Sequence, residues 1–326
     1  MAKPRSQQIS LLDTPYYHLC SRTVRKAFLC GVDKETGVSF EHRRSWIEKR
    51  LFQLSQVFAI DICAHAVMHN HLHLVLHVDS EQVKRWSTDE VLMRWHQLFK
   101  GTLLTQQYAK KQPLDKFQLA IVESTAKVYK HRLIDISWFM RSLNEPIARQ
   151  ANREDNCTGH FWEGRFTSQA LLDEGALLSC MAYVDLNPVR AAIAPTPEQS
   201  DFTSIQLRIK AAIKGEQPAR LFPFVGNAHQ TQGKGICFSL QDYLTLVDET
   251  GRVLSEDKRG VINAEVTDIL SRLHLSDESW LKLTNDFEAI FTGAVGTVEH
   301  LCEFSAHVGL QRTHGIANAK ACLNSA

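Results

Sequence analysis

Residues 65–78, HAVMHNHLHLVLHV, admit few conformations. Leu72, Leu74, Leu76 and Val78 alternate with His71, His73 and His77. Strict alternation predicts a strand with one buried apolar face and one polar face. On such a strand His71 and His73 point the same way, about 7 Å apart along the chain. Two imidazoles on one face make half of a metal site; a strand whose open face carries solvated histidines is the plainer alternative. Met68-His69-Asn70 interrupts the pattern like a tight turn, and residues 57–67 before it form another apolar, β-branched run. The unit reads as a hairpin whose second strand begins with the histidines.

A chain of 326 residues holds one large domain or two ordinary ones. No apolar run approaches the roughly 20 residues that span a bilayer, and the start, MAKPRSQQISLLDTP, lacks a signal-peptide core. The expectation is a cytoplasmic protein away from membranes. Eight cysteines with no Cys-x-x-Cys pair argue against a zinc ribbon and a disulfide scaffold. The net charge of +1 hides an asymmetry: 25 Lys+Arg against 20 Asp+Glu through Ala194, then 12 against 16. A modestly basic front half permits an anionic partner without demanding one.

Before the hairpin, Tyr16-His18-Cys20-Arg22 alternates with Tyr17-Leu19-Ser21-Thr23 as a first strand. Arg22, Arg25 and Lys26 at its end could hold phosphates or be solvated surface charge. Residues 41–58 read as an amphipathic helix, buried through Trp46, Leu51, Leu54 and Phe58, with Arg43, Arg44, Lys49 and Arg50 outside. The order β-α-β-β begins a ferredoxin-like α+β sheet, antiparallel at the hairpin. Residues 80–99 predict a helix, 101–130 a loop and helix inserted into the domain. Residues 133–151 predict a helix that Pro146 should break or restart.

In residues 159–172, Phe161, Trp162 and Phe166 surround Glu163-Gly164-Arg165. Such a cluster can stack bases and approach phosphates, or form a core hairpin with a glycine turn. Asp173 is a reasonable N-cap for the next helix, whose apolar stripe is Leu177, Cys180, Met181 and Val184. Tyr183 lies off that stripe, Asn187 one turn further on, and Pro188 closes the helix. Locally, a tyrosine so placed is most often a packing residue.

Four segments together resemble the REP-associated tyrosine transposases, within the single-tyrosine HUH transposase superfamily. They are Tyr17-His18-Leu19-Cys20-Ser21-Arg22, Val67-Met68-His69-Asn70-His71-Leu72-His73-Leu74, Gly159-His160-Phe161-Trp162-Glu163-Gly164-Arg165-Phe166, and Tyr183-Val184-Asp185-Leu186-Asn187-Pro188-Val189-Arg190. His69 departs from the family's usual proline after the methionine. The resemblance implies an HUH nuclease domain over residues 1–194 and a helical C-terminal extension over 195–326. It implies a divalent metal, Mg²⁺ or Mn²⁺, on His71 and His73. Asn187 is the candidate third ligand, with Asp185, Glu163 or water as alternatives. It makes Tyr183 the nucleophile that cleaves single-stranded DNA bearing a hairpin, leaving a 5′-phosphotyrosine. Arg22, Arg165, Arg190 and Trp162 become candidate DNA contacts, and a homodimer is compatible.

The last third shows a linker at 194–197, a helix over 201–213, and amphipathic segments near 240–248, 260–273, 277–291 and 296–308, with a charged turn at Asp257-Lys258-Arg259-Gly260. Its excess of acidic residues disfavours a purely electrostatic grip on DNA. Two rival functions remain: a rolling-circle replication initiator with the same site, and a DNA-binding protein that has lost its chemistry.

Overall fold

The computed structural model describes residues 4–24, 28–33, 35–226, 233–255 and 264–323. Arg25, Lys26 and the turn at 257–260 lie outside them. The elements run β1 (Tyr16–Arg22), α1 (His42–Val57), β2 (Ile60–Val67), β3 (His71–Val78), α2 (Ser80–Lys84), α3 (Thr88–His96), α4 (Leu103–Ala109), α5 (Lys116–Arg132) and α6 (Ile136–Glu154). There follow β4 (Thr167–Leu171), α7 (Glu174–Asp185), α8 (Asn187–Arg190), α9 (Ser204–Ala212), α10 (Leu240–Ser255), α11 (Ala264–Arg272), α12 (Asp277–Ile290), α13 (Val298–His307) and α14 (Ile316–Cys322). The class is α+β. No described helix is long and apolar enough to cross a membrane.

The chain divides into two compact units, residues 1–45, 62–77 and 162–326 in one, and 46–61 and 78–161 in the other. The first holds a four-stranded sheet in the order β2-β3-β1-β4. β1 runs antiparallel to β3, with Cys20 opposite His73, and antiparallel to β4, with His18 opposite Gln169. The described residues of 195–326 belong to this same unit. α12 packs on α7, and α10 packs on both α7 and α8. Trp280, Leu283 and Phe287 of α12 share one apolar core with Leu178 and Met181 of α7 and Val75 of β3.

That packing changes two expectations. The polar face of β3 is largely covered: His73 is fully buried and His71 and His77 are half-buried, and every residue of α7 after Glu174 is buried as well. Alternation marks two faces correctly, but a second layer covers the face that periodicity assigns to water. The arginines of α1 also differ from expectation. Arg43 is buried, donating to Phe28 O at 2.7 Å and lying over the Phe40 ring at 4.3 Å; Arg44 pairs with Glu41 at 2.8 Å.

In the second unit the predicted helix over 80–99 is two helices. Ser87 caps the second by accepting from Glu90 N at 3.2 Å. The inserted region is α4 and α5, each opened by a capping box. Trp95 stacks on Tyr129 at 4.0 Å, tying α3 to α5. Pro146 does not break α6. Proline removes the N–H that would bond the carbonyl four residues earlier. That carbonyl, Ser142 O, accepts instead from Arg50 Nε at 3.0 Å.

Candidate functional site

The site forms where β3, β1 and β4 meet α7 and α12. Asp173 starts α7 by accepting from Ala176 N at 2.8 Å, as its sequence position predicts. Its apolar residues pack on both sides and carry Tyr183 to the histidines. The Tyr183 and His73 ring centroids are 5.7 Å apart, edge to face, and His71 and His73 are 4.8 Å apart. A phenol on α7 therefore adjoins an imidazole pair on β3 that is remote from it in sequence.

Two further residues complete the cluster. His18 of β1 stacks on His73 at 5.2 Å, with His18 Nε2 3.0 Å from His73 Nδ1. Glu288 of α12 lies 3.9 Å from His73 Nδ1 through Oε1, and Tyr183 Oη lies 3.5 Å from its Oε2. His18, His73 and Glu288 each bring a potential ligand atom to within 4.8 Å of the others. His18 was visible in the first strand motif but had no signal separating it from the buried residues around it. Glu288 had none, being one acidic residue on an amphipathic helix.

Tyr183 retains 7% of its surface. Phe287 lies 5.8 Å from its ring, and the Arg190 guanidinium sits over the ring at 4.1 Å while donating to Thr284 O at 2.7 Å. Burial pushes the phenol pKa up, the Glu288 carboxylate adds to this, and Arg190 opposes it. Burial lowers all three histidines. It is the first cause at His71, brought to about 4 with help from Arg22, Arg190 and His69, and at His73, where His18 and His71 contribute next.

These depressed values set an acid sensitivity. Between the ordinary histidine value of 6.5 and about 4, the unfolded chain binds the proton that folded His71 refuses, so stability rises with pH across that window. The contribution is complete above about pH 6.5 and lost as pH falls toward 4, at about 3 kcal/mol for His71. Guanidinium midpoints measured at pH 4.5 and 7.5 should differ in the wild type and differ less in His71→Gln, where the buried His18 and His73 still contribute. Equal slopes in the two proteins would show that His71 is not the source.

The other sequence candidates are placed as follows. Arg22 is exposed at the end of β1 and shares a cleft with Arg165, Glu163 and Glu288. Trp162 is half-buried, forming a bridge with Thr23. The Phe166 ring face is taken by Arg5 at 3.6 Å. Asn187 opens α8 just past a break in the helix at Leu186. It is 6% exposed, and its amide makes no hydrogen bond to a described residue. Asp185, an alternative ligand, is otherwise engaged. Its Oδ1 accepts from Ser204 Oγ at 2.5 Å and Ile205 N at 3.0 Å, and its Oδ2 from Tyr243 Oη at 2.6 Å. It fastens α7 to α9 and α10.

No family model matches this sequence, and no curated protein does. Among solved structures the fold is similar to a REP-associated tyrosine transposase bound to a REP hairpin. The identity is 12%, the TM-score 0.37, and the match covers 72% of this chain and 98% of that one. The chemistry of the site rests on its own geometry.

Proposed function

We propose that the chain is a metal-assisted tyrosine DNA transposase, a single-strand endonuclease that nicks and rejoins hairpin-bearing single-stranded DNA through a 5′-phosphotyrosine. The observation that carries this reading is the approach of the Tyr183 phenol on α7 to the His71/His73 pair on β3. The strand order supports a ferredoxin-like sheet of the HUH type. On this reading residues 1–194 hold the nuclease elements and 195–326 the extension that supplies Glu288.

His71 and His73 fit a divalent cation. His73 Nε2 is buried without a hydrogen-bond partner, and the Asn187 amide is unengaged among the described residues. An amide oxygen suits a hard cation such as Mg²⁺ or Mn²⁺. When bound, the ion supplies charge that polarises the scissile phosphate. Tyr183 Oη attacks phosphorus, and the bond from phosphorus to the 3′-oxygen breaks. The phenolic proton passes to Glu288 Oε2 and then to the departing 3′-oxygen. The strand keeps a 3′-OH while its 5′-phosphate stays on Tyr183. Rejoining reverses these steps and needs no nucleotide cofactor. Arg22, Arg165 and Trp162 line the approach for DNA, and Arg190 steadies the tyrosine ring.

Incubation with a single-stranded hairpin oligonucleotide should give nicked product and a denaturant-resistant protein–DNA adduct in Mn²⁺ or Mg²⁺, and neither in EDTA. The near-burial of Tyr183 under α12 favours a second reading, a DNA-binding protein without cleavage. Hairpin binding with no adduct under any metal condition would select it.

A further inference from the structure

The hydrogen bonds around the histidines fix which nitrogen of each ring carries the proton. The Phe291 carbonyl, beyond the C-terminal end of α12, can only accept, so the Gln169 amide turns its NH2 toward it. Gln169 Oε1 therefore faces His18 Nδ1 at 2.6 Å and makes that nitrogen the donor. A neutral imidazole has one N–H, so His18 Nε2 is left as an acceptor. It meets His73 Nδ1 at 3.0 Å, which places the His73 proton on Nδ1. The remaining nitrogen, His73 Nε2, is buried with a bare lone pair and no partner. His71 repeats the pattern: its Nδ1 lies 2.7 Å from Asn70 Oδ1.

The sheet register makes the chain of contacts possible. His18 and Gln169 are direct cross-strand partners, and His73 is the diagonal neighbour of His18, opposite Cys20. A divalent cation needs an unprotonated ring nitrogen, and a hydrogen bond at the far nitrogen sets the tautomer that offers one.

We infer that Gln169 and His18 are positioning residues, a relay running from the Phe291 carbonyl to His73 that holds the Nε2 lone pair of His73 ready for a divalent cation. The inference rests on the metal-site reading above and gives the C-terminal extension a part in it, since the relay begins on that extension.

The test uses the full chain and two readouts. Long-range ¹H–¹⁵N spectra of the metal-free protein report the histidine tautomers, and titration with Mn²⁺ alone reports affinity. The wild type should show His73 protonated at Nδ1 and bare at Nε2. Gln169→Leu, which removes the acceptor, should mix the His73 tautomers and weaken Mn²⁺ binding by about 10- to 100-fold. Gln169→Glu keeps an acceptor toward His18 and should restore the wild-type tautomer. A wild-type His73 carrying its proton on Nε2 overturns the relay, whether or not Gln169→Leu folds. So does a folded Gln169→Leu with unchanged tautomer and unchanged affinity. A wild type with the expected tautomer that binds no Mn²⁺ refutes the metal reading and leaves the tautomer relay intact.

Discussion

Tyr183→Phe is expected to bind hairpin-bearing single-stranded DNA as the wild type does and to form no covalent adduct, with cleavage reduced by at least about 10³-fold. The substitution removes one oxygen and keeps the ring. The ring contacts with His73, His18, Phe287 and Arg190 survive, and the only interaction deleted is the 3.5 Å approach to Glu288. Losing so long a hydrogen bond should change stability by less than about 1 kcal/mol, so lost cleavage cannot be charged to misfolding. The measurement pairs a gel-shift titration with a denaturing gel of labelled oligonucleotide. An adduct that persists at wild-type yield would place the nucleophile elsewhere.

The largest stability effect is expected at Asp185, which lies two residues beyond Tyr183 and is engaged in hydrogen bonds to other helices. Its carboxyl is fully buried and accepts three hydrogen bonds, from Ser204 Oγ, Ile205 N and Tyr243 Oη. Burial pushes its pKa up, against those bonds and the charge of Arg208. Asp185→Ala would strand the Tyr243 hydroxyl in the core and leave buried Arg208 without its nearby acid. Removing one member of such a network costs on the order of 3–5 kcal/mol. Asp185→Asn keeps an oxygen for Ser204 and Ile205 and should lose less. Guanidinium unfolding gives both numbers. A loss below about 1 kcal/mol in Asp185→Ala would show that the network contributes little.

The same region shows where local reading stopped. In the sequence, Asn187 is the candidate third ligand because it falls one helical turn beyond Tyr183, and Asp185 is one of its alternatives. Asp185 turns out to be an anchor between helices, because Ser204 and Tyr243, 19 and 58 residues away, meet its two oxygens. Pro146 is a comparable case: the rule that proline ends helices assumes an orphaned carbonyl, and Arg50 supplies the missing donor from another helix.

What the sequence determined by itself was periodic or local. The alternation in 71–78 set β3, its turn and the shared side of His71 and His73; Asp173 set the start of α7; the apolar spacing set helices α9 to α13, while α14 carried no such signal. These follow from backbone geometry and nearest-neighbour hydrogen bonds, which a short window contains. Only the tertiary structure decided that α12 closes over the polar side of the sheet. That closure buries His73, brings Glu288 to the phenol and sets the Phe291 carbonyl against Gln169. Burial and ring tautomer depend on groups carried by other elements, from His18 on β1 to Phe291 beyond α12, and no pattern within β3 encodes them.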